Sequence, residues 1–290
     1  MHVIKVDMRK TNAQELFISS LADTGFAVIS NHSLPGTLIA DTYAEWERFF
    51  ASDAKHQHLF SPERQSGFFP LKSENAKGRD IKDLKEFYHY FQNRGDVLPT
   101  SLSGATKQIF DALSLLASEL LAIIAKNSPA EVRRGYSEDL AGMITSAPSS
   151  LLRILHYPPL LGAQNDVAAG AVRAAEHGDI NLITLLPAAS SPGLEVKGVN
   201  GNWHVVESDP GSIVVNIADM LEMASGGFFP STLHRVVNPQ GKDANKARYS
   251  MPFFAHPRPE VRLSPMHTAQ SFLDERLREI GLLKADEKLR

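Results

Sequence analysis

A chain of 290 residues with 43% hydrophobic side chains can bury a large core and is long enough for one enzyme-sized domain. Its formal net charge of −3 gives no reason to expect nucleic acid or an anionic membrane as a partner. The absence of cysteine excludes disulfides, thiolate metal sites and cysteine nucleophiles. With no apolar segment typical of a secretory signal and no run of about 18 apolar residues, we expect a cytoplasmic protein without a membrane span. No pattern indicates an oligomeric state.

The first half of the chain is predicted to be largely helical. A short strand over residues 2–8 and a helix that ends at Gly25 precede a strand over Phe26–Ile29. A second helix begins at about Pro35, and apolar residues at spacings of three and four predict a long amphipathic helix within 101–127. We expect this last helix to pack on the β-structure of the same chain rather than on a partner protein.

A strand is predicted between these helices, in the run DLKEFYHYF. Its alternation places Lys85, Phe87 and His89 on one face of the strand. Glu86, Tyr88 and Tyr90 lie on the other face. The alternation does not say which face is internal. The polar segment 61–83 just before it is typical of a loop that covers a pocket.

From Leu151 the pattern changes to short strands. LLRILHYPP, INLITLLP, GSIVVNIADML and RYSMPFF are β-branched or apolar runs separated by turn residues. The dipeptide Asn200-Gly201 between LEVK and WHVV is a strong hairpin signal. Turn signals at intervals of about 8–12 residues favour a closed or two-sheet antiparallel architecture.

Residues suited to binding a metal lie two apart in the run AEHGDINLITLL. His177 and Asp179 would project from one face if this run is a strand. His234 follows 55 residues after Asp179, in the strand-like run STLHRVV. Two imidazoles and one carboxylate can occupy one face of an octahedron, which suits non-haem Fe(II) with open positions for O2 and a co-substrate. We therefore predict one metal site from these three residues.

A second pair with the same spacing follows in the run ARYSMPFF. Arg248 and Ser250 should face one way, which places a guanidinium beside a hydroxyl. Arginine can hold a carboxylate through two parallel hydrogen bonds. The pair is therefore a candidate carboxylate clamp.

In this order, H-G-D, H-R-V-V-N and R-Y-S-x-P resemble the Fe(II)- and 2-oxoglutarate-dependent oxygenases. The similarity is greatest to the branch of isopenicillin N synthase and the plant flavonoid and gibberellin dioxygenases. It implies a mainly β fold with helices, whose core is a double-stranded β-helix (a cupin-like jelly roll) wrapped by N-terminal and C-terminal helices. We expect one domain over 1–290, with a helical region at 1–150, the jelly roll at 151–258 and a closing helix at 259–290.

The resemblance implies Fe(II), held by His177, Asp179 and His234 as metal-binding and catalytic residues. It also implies 2-oxoglutarate as co-substrate and ascorbate as an optional addition. Tyr157 matches a tyrosine that binds the co-substrate carboxylate alongside Arg248 and Ser250. Many plant members carry asparagine two residues before that tyrosine, where this chain has Leu155.

Three functions follow as alternatives. The first couples oxidative decarboxylation of 2-oxoglutarate to hydroxylation, desaturation or cyclisation of a small organic substrate by O2. The second is an oxidase similar to isopenicillin N synthase or aminocyclopropane carboxylate oxidase, which does not use 2-oxoglutarate. The third is a jelly-roll protein that binds a metal or small ligand without catalysis, and the complete triad argues against it.

The substrate is not evident from the sequence. The candidate lining residues are Phe68, Phe69, Tyr88, Phe229, Phe254 and Arg173. An inward-facing Arg173 would favour an acidic substrate, but a solvated arginine is the commoner case. We assign no chemistry to Asn216 and Asp219, and we expect His256 to serve packing or a turn.

Overall fold

The structure is a computed structural model that describes residues 2–73, 82–160, 172–239 and 244–279. Its helices are α1 Ala13–Thr24, α2 Gly36–Ala51, α3 Ala105–Asn127, α4 Ala130–Gly135, α5 Leu140–Met143, α6 Asp219–Ala224 and α7 Ala269–Glu279. Its strands are β1 Lys5–Asp7, β2 Phe26–Ser30, β3 Gly67–Phe69, β4 Glu86–Tyr90, β5 Leu151–Tyr157, β6 Ala174–His177, β7 Ile183–Pro187, β8 Leu194–Lys197, β9 Trp203–Val205, β10 Ile213–Ile217, β11 His234–Val236, β12 Arg248–Ser250 and β13 Phe253–Ala255.

These strands form a large and a small sheet. The large sheet has the order β1-β2-β10-β7-β13-β5-β4-β3, with β12 also paired to β5. Its strands are antiparallel except for β1 and β2, which are parallel. The small sheet has the order β6-β11-β8-β9. The mixed α/β architecture with a large antiparallel sheet confirms the predicted jelly-roll core.

The two faces of the large sheet bury different clusters. In β10, Ile213 and Val215 join the main core with α1, α2 and α3, whereas Val214 packs with Val196 of the small sheet. Alternation of side chains along a strand requires this division. Strands buried on both faces are apolar throughout, which is why GSIVVNIADML contains an almost continuous hydrophobic run. Polar side chains on the inner face are therefore exceptional, and they mark the candidate site.

The face of β4 that carries Phe87 and His89, continued by Lys85 just before the strand, points to the interior between the sheets. Phe87 packs with Tyr157 between the sheets, whereas Tyr88 and Tyr90 belong to the main core beside the helices. On the same outer side, Glu86 accepts hydrogen bonds from Lys55 at 3.0 Å and pairs with His156 at 2.8 Å. The inner face of β4 thus points towards the space between the sheets.

The helical region before residue 150 also contributes strands. β1 to β4 join the large sheet, and the polar connector 127–150 contains the short helices α4 and α5. The closing helix is described as far as Glu279, and the rest of its predicted extent lies outside the described residues.

Helix α3 is the one helix in the described ranges that is long and apolar enough to cross a membrane. Its buried residues, among them Ile109, Leu113 and Leu120, belong to the main core. The helix contacts α1, α2 and α5 and strands β7 and β13. This packing is that of the core helix that the amphipathic pattern predicts.

Candidate metal and co-substrate site

Antiparallel pairing of β6 and β11 brings the two candidate histidine ligands together. His177 is directly opposite His234 in this pair, and their rings lie 4.4 Å apart. Asp179 Oδ1 is 4.0 Å from His177 Nε2 and 3.7 Å from His234 Nε2. All three candidate ligand atoms lie within 4.8 Å of one another, the only such group of three or more found in the described ranges.

The structure corrects the local geometry predicted for the first two residues. β6 ends at His177, so Asp179 lies beyond the strand rather than two positions along it. The run INLITLLP forms β7 in the large sheet, so the segment between crosses from one sheet to the other. At the crossing, the Asp219 N–H donates to the Asp179 carbonyl at 2.9 Å. The carboxylate is thus anchored by a connection between sheets.

In each histidine, Nδ1 forms a hydrogen bond with a backbone carbonyl and leaves Nε2 for the metal. His177 Nδ1 donates to the Ala175 carbonyl at 2.8 Å, and His234 Nδ1 donates to the Thr232 carbonyl at 3.3 Å. Because a carbonyl can only accept, Nδ1 carries the hydrogen in both rings. In this tautomer Nε2 carries the lone pair and points at the shared space, which is the arrangement that orients metal-bound histidines.

The carboxylate of Asp179 is held in the same way. Its Oδ2 accepts from Thr184 Oγ1 at 2.7 Å and from Asn216 Nδ2 at 3.0 Å, so Oδ1 remains directed at the histidines. Thr184 and Asn216 are neighbours across β7 and β10 on the inner face. The sequence interpretation assigned Asn216 no chemistry and missed Thr184. Polar residues at inward positions of two apolar strands were the signal available.

The electrostatic setting favours ligation at neutral pH. The side chain of His177 is 42% exposed, and its ring nitrogens face the protein, where desolvation and the nearby His234 lower its pKa to about 4 against the partial opposition of Asp179. Burial by itself raises the pKa of Asp179, but the two histidines and the hydrogen bonds from Asn216 and Thr184 bring it below its usual value. A neutral imidazole beside an ionised carboxylate is the state that binds a divalent cation. The donor set therefore fits Fe(II).

Strand β12 pairs with β5 in a register that brings the candidate carboxylate clamp together. Arg248 lies opposite Tyr157, and Ser250 lies opposite Leu155. The Arg248 guanidinium is 5.1 Å from the centre of the Tyr157 ring. Arg248, Ser250 and Tyr157 are all at most 3% exposed. The predicted arrangement of these side chains is thus present between the sheets.

A cavity of about 530 Å³ opens beside the candidate metal site, and both His177 and Asp179 line it. Charged groups of both signs line it too: Lys85, Arg94, Arg153 and Arg276 are basic, and Asp83, Glu176, Asp219 and Glu279 are acidic. Helix α7 contributes Leu273, Arg276 and Leu277.

Of the substrate-lining candidates, Phe254 is the one that lines this cavity. Phe68, Tyr88 and Phe229 instead belong to the main core, and Phe69 stacks on Phe87 with ring centres 4.3 Å apart. His256, expected to serve packing, also lines the cavity, and burial lowers its pKa to about 4.

Arg173 differs most from expectation. It is 1% exposed rather than solvated, and its guanidinium lies 5.8 Å from the centre of the Tyr157 ring. The arginine is therefore in the same compartment as Arg248, away from the lining of the large cavity.

Comparison with known proteins places these features in a family. Residues 148–257 match the model of the 2OG-Fe(II) oxygenase superfamily. Residues 5–108 match the N-terminal model of the non-haem dioxygenases described from morphine synthesis.

A candidate oxygenase from Shewanella oneidensis shares 46% identity over 98% of this chain and 100% of its own, with a TM-score of 0.87. A candidate 2OG-Fe(II) oxygenase family protein from Caulobacter crescentus shares 30% identity over 96% and 99%, with a TM-score of 0.77. Proline hydroxylase buaE of Petromyces alliaceus shares 28% identity over 86% of this chain and 83% of its own. The chain belongs to the 2OG-Fe(II) oxygenase superfamily, and it is an Fe(II)- and 2-oxoglutarate-dependent dioxygenase.

Proposed function

We propose that His177, Asp179 and His234 bind the Fe(II) of this dioxygenase, and that the enzyme oxidises a small anionic substrate in the adjacent cavity. The observation that carries the proposal is the convergence of two imidazole Nε2 atoms and one carboxylate oxygen within 4.8 Å. Bound Fe(II) supplies the activation of O2 that couples decarboxylation of 2-oxoglutarate to substrate hydroxylation, desaturation or cyclisation.

The residues around the triad fix its geometry before any ligand arrives. The carbonyls of Ala175 and Thr232 hold the two rings, and Thr184 and Asn216 hold the carboxylate. Arg248 and Ser250, on the inner face, would receive the distal carboxylate of 2-oxoglutarate, with Tyr157 beside them. Burial of these groups keeps water from the carboxylate and strengthens its attraction to the arginine.

Arg153 supports an anionic substrate. It lines the cavity, its Nε donates to His89 Nε2 at 2.8 Å, and its guanidinium lies 4.8 Å from the Phe87 ring.

The aromatic and histidine contacts hold the Arg153 guanidinium in one orientation. Leu151 and Phe254 supply apolar surface next to it. A carboxylic acid with an apolar body fits this lining.

Succinate formation tests the function. Purified protein is incubated with Fe(II), 2-oxoglutarate and O2, and a panel of small acids is screened for stimulated succinate release. We expect stimulation by at least one acid and none without Fe(II). Stoichiometric iron without succinate under any condition would favour an oxidase that does not use 2-oxoglutarate.

Neutral analogues test the substrate class. We expect a stimulating acid to lose most of its effect as its methyl ester, and Arg153→Met to lose the distinction between acid and ester. Arg153→Lys keeps the charge and should keep a reduced preference for the acid. Equal stimulation by acid and ester in the wild-type protein would refute an anionic substrate.

We also assign the chain to the isopenicillin N synthase-like branch. The support is the order of the two matched segments, an N-terminal dioxygenase region followed by the oxygenase core.

A further inference from the structure

Two arginines share one compartment between the sheets. Arg173 precedes β6 in the small sheet, and Arg248 begins β12 in the large sheet. Both guanidiniums lie against the Tyr157 ring, at 5.8 Å and 5.1 Å from its centre. We call this buried group of Tyr157, Arg173, Arg248 and Ser250 the arginine chamber.

A backbone contact fixes the second arginine beside the first. Arg173 Nη2 donates to the Lys246 carbonyl at 2.9 Å. Lys246 is two residues before Arg248, so this bond holds the Arg173 side chain against the segment that leads into β12. The two guanidiniums therefore approach one another from opposite sheets.

Within the described residues, no carboxylate pairs with either arginine of the chamber. Arg173 and Arg248 are 1% and 2% exposed, and neither forms an ion pair with a carboxylate of the described residues. Arg248 Nε donates to the Ser191 carbonyl at 3.0 Å. Within the described ranges, Arg173 Nε and Arg248 Nη1 are buried without a hydrogen-bond partner.

Such an arrangement is costly without an anion. Buried charges are normally paired, and an unpaired N–H of a buried cation loses its hydration without compensation. Burial lowers the pKa of Arg173 to about 10, and the nearby Arg248 contributes to this lowering. A bound carboxylate would accept hydrogen bonds from both guanidiniums and relieve their repulsion.

We propose that Arg173 is a second carboxylate-binding arginine, which acts with Arg248 on the distal carboxylate of 2-oxoglutarate and makes the enzyme selective for 2-oxo acids with a second carboxylate. This inference rests on the placement of the distal carboxylate of 2-oxoglutarate at Arg248 and Ser250 proposed above. It assigns Arg173 to the co-substrate and not to the primary substrate, because Arg173 is absent from the lining of the large cavity.

Direct binding tests the assignment without turnover. Fe(II)-loaded protein is titrated anaerobically with 2-oxoglutarate, and separately with 2-oxopentanoate, which has the same chain length but lacks the distal carboxylate. We expect Arg173→Gln to weaken 2-oxoglutarate binding roughly 10- to 100-fold, the range for losing a charge-assisted hydrogen bond. Binding of 2-oxopentanoate should change less than about threefold. Arg9→Gln, at an exposed arginine paired with Asp7, is the control.

Two additional variants keep the test decisive. Arg173→Lys retains the charge if the glutamine variant does not fold, and it should retain part of the preference for 2-oxoglutarate. The double variant Arg173→Gln/Arg248→Gln should lose less than the product of the two single losses, since both arginines act on one carboxylate.

The outcomes separate this inference from the proposed function. If wild-type protein with a full complement of iron binds no 2-oxoglutarate, the proposed placement of the co-substrate fails and the inference falls with it. If the wild type binds 2-oxoglutarate and a folded Arg173→Gln variant binds it equally well, the inference alone is wrong. Equal weakening of both 2-oxo acids would give Arg173 a structural role and would also overturn the inference.

Discussion

The candidate metal centre and the arginine chamber both lie between the sheets, but they differ in how fully the described residues pair their polar atoms. At the metal centre, every atom that would not contact the ion has a protein hydrogen bond: the two Nδ1 atoms bond to carbonyls, and Asp179 Oδ2 bonds to Thr184 and Asn216. In the arginine chamber, Arg173 and Arg248 each keep one buried N–H without a partner among the described residues.

The difference indicates that the two sites would bind their ligands, a metal ion and a carboxylate, in different ways. The metal centre is preorganised, so ligand binding requires little rearrangement of the three side chains. Among the described residues the two buried cations of the arginine chamber lack carboxylate partners, and the distal carboxylate of 2-oxoglutarate would supply one. We therefore expect substitutions at the metal centre to reduce metal affinity, and substitutions in the chamber to reduce 2-oxoglutarate affinity with the metal retained.

Removal of a triad ligand should have the largest effect. Asp179→Ala deletes the carboxylate that lies 3.7 Å from His234 Nε2 and 4.0 Å from His177 Nε2. We expect bound iron to fall from about one per chain to background, and succinate formation to disappear with it. Metal analysis of purified protein measures the change, and Asp209→Ala, at a surface ion pair with Lys5, is the control. Unchanged iron content in the Asp179 variant would contradict the ligand assignment.

Loss of a supporting hydrogen bond should have an intermediate effect. Thr184→Val removes the hydroxyl that donates to Asp179 Oδ2 at 2.7 Å and keeps the shape of the side chain. Removing such a supporting group commonly lowers metal affinity by about 10- to 100-fold. Thr42→Val is a matched control, since the buried Thr42 hydroxyl donates to the Leu38 carbonyl at 2.7 Å within α2, outside the site. Competition with a fluorescent chelator measures both affinities, and equal loss in the two variants would refute the specific role of Thr184.

The sequence predicted the convergence of the candidate ligands because their chemistry is local and uncommon. His177 and Asp179 are two apart, His234 lies in a strand-like run, and Arg248 and Ser250 repeat the two-residue spacing. The antiparallel architecture was equally accessible, because turn residues separate its short strands, and the family resemblance identified it as a jelly roll. The prediction that Asp179 extends the strand of His177 was wrong because a sheet-to-sheet crossing leaves no local signal.

Burial was the property that the sequence did not determine. Arg173 was expected in solvent, since a single arginine has no pattern that specifies its compartment. Phe68, Tyr88 and Phe229 were candidate lining residues, because a core and an apolar cavity select the same side chains. Both faces of β4 are buried, so alternation could not identify its inner face. Localisation in the cytoplasm stays a prediction.

The smallest expected effect concerns His256, a cavity residue whose role is neither in the triad nor in the chamber. Its pKa is lowered to about 4 by burial and by the nearby Arg94, whereas an unfolded histidine titrates near 6.5. Between these values the unfolded chain binds more protons, so stability falls as the pH is lowered. From pH 7 to pH 5.5 this one group should reduce the free energy of unfolding by about 1 kcal/mol.

His256→Phe should remove that part of the pH dependence in metal-free protein, while His177, whose pKa is also lowered to about 4, continues to contribute. Urea unfolding at the two pH values measures the difference, with His2→Phe at the exposed N-terminus as the control. If the His256 variant loses as much stability as the wild type on acidification, His256 is not held neutral by burial. The loss of unfolding free energy on acidification would then be assigned to the triad, where the pKa of His177 is lowered to about 4.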